Sequence, residues 1–253
     1  MTPIDLGLLL AIAFATSILS AVAGMAGGIV LLTVMLLYFE PLVAIPLHGV
    51  VQLVSNSSRA AIQRANIDWR LVWRYAVPLL PAGVLGLQVA QRLPAAGLRF
   101  AIGVFVLVAT WARGLLLLGR HPERMHPTRR FWILGGVLGF LNVNIGATGP
   151  LLAPFFLNLQ LSRQGIVGTM AACQALGHLA KIAIFGVAGF WFRDYAGVLV
   201  GMCGMVMLGT WLGSRLLDRL NERVFRWIFQ AILTLIALRL VLVDGARLFG
   251  IGS

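Results

Sequence analysis

Two polar trios stand out in a chain that is 60% hydrophobic and only 11% charged. Gln52, Asn56 and Arg59 form one, and Gln174, His178 and Lys181 form the other. Each is spaced i, i+4, i+7, so in a helix its three side chains share one face. Amides, an imidazole and cations grouped this way surround a positive charge with hydrogen-bond donors, which suits holding an anion. Lys181 is the one lysine in the chain and sits inside an apolar stretch. A cation at the centre of a bilayer costs roughly 2.5 to 3.5 kcal/mol on insertion scales, so Lys181 is expected to face an aqueous cavity or an anion. Arg59 reads either as a second cation of that site or as the mark of its helix's cytoplasmic end. His178 lies one turn from Lys181, and His48 extends the first stripe by another turn. An imidazole titrates near neutrality, so His178 offers a route to proton coupling.

The carboxylates are placed the other way. Asp5, Glu40, Asp68, Glu123, Asp194, Asp218, Glu222 and Asp244 all fall at the ends of apolar stretches or between them. Cation carriers and carboxylate proton relays usually place such a group within the membrane. The expected cavity is therefore neutral to positive, and the expected cargo is a small anion. The chain has no His-Glu-x-x-His, no paired-cysteine motif and no Gly-Lys-Ser/Thr phosphate loop. It is read as not an enzyme, with no cofactor and no metal. Cys173 and Cys203 lie in apolar runs without ligand spacing and read as small buried hydrophobes.

The elements that position these residues follow from the charge-free stretches, which are 6–39, 41–58, 75–91, 100–112, 131–162, 164–180, 195–214 and 227–238. A helix crossing the hydrocarbon needs about 20 residues. The pattern predicts an all-α integral membrane protein with about eight hydrophobic segments. The net charge of +12 comes from Arg between the apolar runs, the arrangement of cytoplasmic loops rather than of a nucleic-acid surface. Ala21-Val22-Ala23 resembles a signal-peptidase site, but the preceding region carries Asp5 and no Lys or Arg, so the N-terminal segment is expected to be retained.

Stretches 6–39 and 131–162 are too long for one helix and too short for two crossings and a turn. Gly24-Met25-Ala26-Gly27-Gly28 interrupts the first, and Asn142 through Pro150 interrupts the second. Gly and Pro in a helix cost about 1 and about 3 kcal/mol apiece relative to Ala. Backbone that leaves the helix at membrane depth survives only against protein or a wet cavity. The first and fifth segments are therefore expected to be broken or re-entrant, with half-helix N–H groups facing the anion. Gly24, Gly27, Gly28, Asn142, Asn144, Gly146, Thr148 and Gly149 join the six stripe residues as the expected substrate-binding set, the two Asn and Thr148 as donors. Gly135 with Gly139 and Gly209 with Gly213 read as close-packing pairs.

A shift of 122 lays Gly24 on Gly146, Gly27 on Gly149, Ser20 on Asn142, Trp69 on Trp191 and the first stripe on the second. This predicts a duplication, with a first membrane repeat over 1–118, a basic cytoplasmic loop over 119–130 and a second repeat over 131–253. Arg clusters around 59–74, 119–130 and 215–226 share the cytoplasmic side only if each broken run enters and leaves on one side. The halves would then be inverted, the usual pointer to a secondary transporter's binding site.

Ala23-Gly24-Met25-Ala26-Gly27-Gly28 after an N-terminal apolar run, followed one helix later by Ile67-Asp68-Trp69-Arg70, resembles the TauE/SafE sulfite-exporter family of permeases. The resemblance covers essentially the whole chain. It implies carriage of sulfite, sulfonates or related organosulfur anions, mostly outward across the cytoplasmic membrane. It supports Gly24, Gly27, Gly28, Gly146, Thr148, Gly149 and Pro150; the stripe residues rest on their spacing. The expected protein is a multi-pass permease of the cytoplasmic (inner) membrane working by alternating access, with a small anion and the lipid bilayer as partners and no nucleic acid. Proton or sodium coupling and a homodimer stay open. So do two other readings, an uptake permease or channel for another anion and a non-transporting scaffold subunit.

Overall fold

A computed structural model describes residues 2–23, 26–117, 122–216 and 222–250. Every regular element among these is helical. Helices α1 (Pro3–Ala23), α2 (Ala26–Tyr38), α3 (Pro41–Ile62), α4 (Trp69–Ala90) and α5 (Ala95–Trp111) are followed by α6 (Pro127–Asn144), α7 (Gly149–Leu152), α8 (Arg163–Val187), α9 (Ala196–Leu216), α10 (Glu222–Arg239) and α11 (Gly245–Leu248). Their starts carry local signals. Pro41 opens α3 behind an extended Glu40, where a missing N–H costs nothing. The Asp68 carboxylate accepts from the N–H groups of Arg70 and Leu71 at 3.0 and 3.2 Å, and the Ser162 hydroxyl accepts from Gly165 N–H at 3.0 Å, so α4 and α8 begin on capping side chains.

Segments Gln164–Val187 and Phe192–Gly213 are long and apolar enough to cross a membrane, whereas Pro3–Ile18, Gly27–Tyr38 and Ala95–Trp111 are apolar but shorter. Large hydrophobic side chains face outward on many helices, among them Trp73, Val187, Val200, Trp211 and Leu235. Such a surface suits hydrocarbon rather than water.

Both long charge-free stretches are divided. The first passes from α1 to α2 across Gly24 and Met25, which lie outside the described residues. The second leaves the helix after Asn144, turns through Gly146 at φ 81°, and resumes as α7 and a tight turn over Ala153–Phe156. That φ is in the left-handed region, which glycine enters without a steric penalty.

The main packing partners are α1 with α9, α4 with α6, and α3 with α8. Helices α3 and α8 run in opposite directions: His48 lies against His178, Gly49 against Lys181 and Gln63 against Gly168. The other two pairs run parallel. Leu10 meets Gly201 and Ser17 meets Gly209, while Tyr75 meets Gly135 and Leu79 meets Gly139. A Cβ at Gly135 or Gly139 would land on the carbonyls of Tyr75 and Leu79. Backbone therefore rests on backbone, the gain small residues give where no hydrophobic effect drives helices together. At one end of the bundle, the Arg99 guanidinium meets the Glu40 carboxylate at 3.1 Å and the Asp244 carboxylate at 3.8 Å. It also donates to the Phe39 carbonyl at 3.3 Å, tying the α2–α3 corner to the segment after α10.

Gly139 and its neighbour Gly136, which has open space around it, give a controlled test. Gly139→Val is expected to cost about 1 to 3 kcal/mol through overpacking and to lower the unfolding temperature in detergent. Gly136→Val should leave it nearly unchanged, and equal effects would refute the α4–α6 contact.

Candidate functional site

The polar stripes and the two breaks converge on one cavity. The first half supplies Ser20, Gly28, His48, Gln52, Arg59 and Tyr75 to its wall, and the second supplies Asn142, Thr148, Gly149, Gln174 and His178. Its volume is about 30 Å³, enough for about two water molecules. Among the described residues, none that lines it is a carboxylate.

Each side chain is held by a specific partner. His48 Nε2 lies 2.8 Å from the Gly28 carbonyl oxygen; a carbonyl can only accept, so Nε2 carries the hydrogen. Asn56 donates to the Gln52 carbonyl at 2.8 Å, and its Oδ1 accepts from Arg59 Nη2 at 2.6 Å. Asn56 thus works from behind the wall, fixing the Arg59 guanidinium. Asn142 Nδ2 donates across to the Gly177 carbonyl of α8 at 2.9 Å. Asn144 Nδ2 donates to the carbonyls of Gly86 and Phe140 at 3.0 and 2.8 Å, which clips the end of α6 to α4. The His48 and His178 rings meet edge to face with centroids 5.8 Å apart, at the seam between α3 and α8.

Lys181 is 1% exposed, and its ammonium donates to the Gly146 carbonyl at 2.7 Å. It sits one layer behind the cavity, against Gly49 of α3. That carbonyl belongs to the residue at which the second break turns, so the cation satisfies an acceptor that the interrupted helix leaves over.

Among the sequence-predicted residues, Gly28, Gln52, Arg59, Asn142, Thr148, Gly149, Gln174 and His178 line the cavity. Asn56, Asn144, Gly146 and Lys181 support it from behind. Gly27 lies against Thr16 and Ser20 of α1, where a Cβ has no room, and Gly24 lies outside the described residues. Tyr75 was not foreseen; it is a single tyrosine in α4, with no polar companion at helical spacing to mark its face.

The model of the sulfite exporter TauE/SafE family matches residues 9–240. The chain belongs to the TauE/SafE family. No curated protein and no solved structure matches it. TauE/SafE proteins are membrane transporters of sulfur anions such as sulfite, and a cavity walled by amides, imidazoles and a guanidinium is chemically fitted to such a cargo.

Removing the cation should separate scaffold from site. Lys181→Met removes the ammonium from the buried Gly146 carbonyl, at a cost of about 1 to 3 kcal/mol, and is expected to lower the unfolding temperature without any ligand. Arg59→Gln should weaken anion binding more than it lowers that temperature. Calorimetry with and without sulfite measures both, and an unchanged Lys181→Met melting curve would refute the structural role.

Proposed function

We propose that this chain is a secondary transporter that moves a small sulfur-containing anion, such as sulfite or an organosulfonate, outward across the cytoplasmic membrane by alternating access. The observation that carries the proposal is the cavity itself, where donors from both halves meet both helix breaks with no carboxylate among the described residues of the wall. Arg59 supplies the positive charge. Gln52, Gln174, Tyr75, Thr148 and the two histidines supply polar contacts, and the backbone at Gly28 and Gly149 leaves room for close approach.

In this reading the chain is two inverted repeats, 1–118 and 131–253, joined by the basic segment 119–130 on the cytoplasmic side. Several features support it. The shift of 122 carries Pro41, the first residue of α3, onto Arg163, the first of α8. It carries Trp69 of α4 onto Trp191, just before the turn that leads into α9. Exchanging the halves turns the α1–α9 pair into α6–α4, another observed pair, and the equivalent helices α3 and α8 are opposed in direction. Matching interruptions in inverted halves mark the binding site in secondary transporters.

The same symmetry assigns Lys181 a part. It is the repeat partner of Arg59, which is on the wall while Lys181 is withdrawn behind it. If the halves exchange conformations as access alternates, Lys181 comes to the wall and Arg59 retreats, so the anion keeps one cation in each state. The tight α1–α9 and α4–α6 pairs would rock as units about the α3–α8 seam.

Flux of sulfite from proteoliposomes tests this, with thermal stabilisation by sulfite, sulfate, thiosulfate, sulfoacetate and lactate as a second readout. Sulfite flux and stabilisation by at least one sulfur anion are expected. Arg59→Gln and Lys181→Ala should each reduce flux about tenfold or more, corresponding to about 1.4 kcal/mol. Absence of both flux and stabilisation with every anion would instead mark a scaffold.

A further inference from the structure

We infer that the anion accepted by this cavity carries a hydrogen-bond donor of its own, and that Asn142 selects for it. The inference rests on the proposed anion site and adds the hydrogen-bonding class of its occupant. Asn142 is 5% exposed and lines the cavity. Its Nδ2 is committed to the Gly177 carbonyl at 2.9 Å, which fixes the orientation of the amide because a carbonyl cannot donate. The oxygen of the same amide, Oδ1, is buried without a hydrogen-bond partner. An amide oxygen only accepts, so the group it lacks is a donor.

A second candidate acceptor belongs to another residue of the same cavity wall. With the His48 Nε2 hydrogen directed at Gly28, Nδ1 of a neutral ring carries a lone pair, and it too is buried without a partner. The titratable groups around the cavity are His48 and Arg59 of α3, Tyr75 of α4, and Cys173, His178 and Lys181 of α8; none makes a hydrogen bond to Asn142 Oδ1. An occupant whose outer atoms all accept would set lone pairs against Oδ1. An occupant with one X–H beside its anionic oxygens would satisfy Oδ1 while Tyr75, Gln52, Gln174 and Arg59 serve the oxygens. Hydrogensulfite in its HO–SO₂⁻ form has that composition. The sulfite dianion and sulfate do not. A site that hydrogen-bonds a ligand's own donor discriminates strongly against the analogue lacking it, because the protein group is then left unpaired.

Sulfamate, H₂N–SO₃⁻, and methanesulfonate, CH₃–SO₃⁻, test this at fixed pH, since they share charge and shape and differ in the donor. Titration calorimetry on the purified full chain is expected to find sulfamate bound about tenfold or more tightly than methanesulfonate. Equal affinities would overturn the inference while leaving the anion site intact. No binding of either ligand or of sulfite would overturn the proposed function and this inference together. In Asn142→Leu the ratio should fall to about one, and a ratio that persists would overturn the assignment to Asn142. The wild-type comparison decides by itself if that variant does not fold.

Discussion

A buried ammonium 2.7 Å from the Gly146 carbonyl is the contact on which the second helix break depends. Inside a bilayer an unpaired backbone group costs several kcal/mol, so a chain that leaves the helix at membrane depth must find its carbonyls a donor. The first half makes a different contact: His48 of α3 meets the carbonyl of Gly28, in the first turn of α2, at 2.8 Å. Both side chains come from the antiparallel pair α3 and α8. Polar groups on this pair divide two tasks, Lys181 satisfying the turned backbone while His48, Gln52, Gln174 and His178 face the space beside it.

The surrounding helices make that arrangement rigid enough to matter. At Gly135 and Gly139 the backbone of α6 lies directly on the carbonyls of α4, and at Gly209 that of α9 lies on Phe14 and Ser17 of α1. Asn144 adds hydrogen bonds to the α4–α6 contact just before the break begins. The turn at Gly146 therefore starts from a clamped helix end. Lys181 meets a carbonyl that follows this clamped end of α6 by two residues.

Much of this was legible in the sequence, for reasons that differ by residue. The breaks were visible because length is decisive: neither 6–39 nor 131–162 fits one crossing or two. The stripes were visible because i, i+4, i+7 defines a face whatever packs on it. Which member of a stripe reaches the cavity was not visible, since that depends on partners supplied by other helices. Asn56 turns to Gln52 and Arg59, and Lys181 turns to Gly146. Asn142 and Asn144 were both read as donors; Asn144 gives both of its N–H groups to carbonyls of α4 and α6, and Asn142 gives one to a carbonyl of α8, partners that only the assembled bundle brings near. Tyr75 left no trace because a lone tyrosine on a helix has no periodicity.

The two half-sites, for all their correspondence, are not chemically equal, and this bears on what alternation can do. His178 stands where the first half has Asn56, and Pro150 where it has Gly28. The imidazole lines the cavity, whereas the amide lies behind it holding Arg59. Two states related by exchange of identical halves would bind an anion equally well on either side. A difference in wall chemistry gives them different affinities, and a ligand shifts a two-state equilibrium only by its differential affinity for the two states. In the alternating-access reading we propose, the unequal residues at 56 and 178 would let the two facing states hold the same anion with unequal strength. Direction of net transport would still follow from gradients, while this asymmetry would set the ease of loading on one side and release on the other.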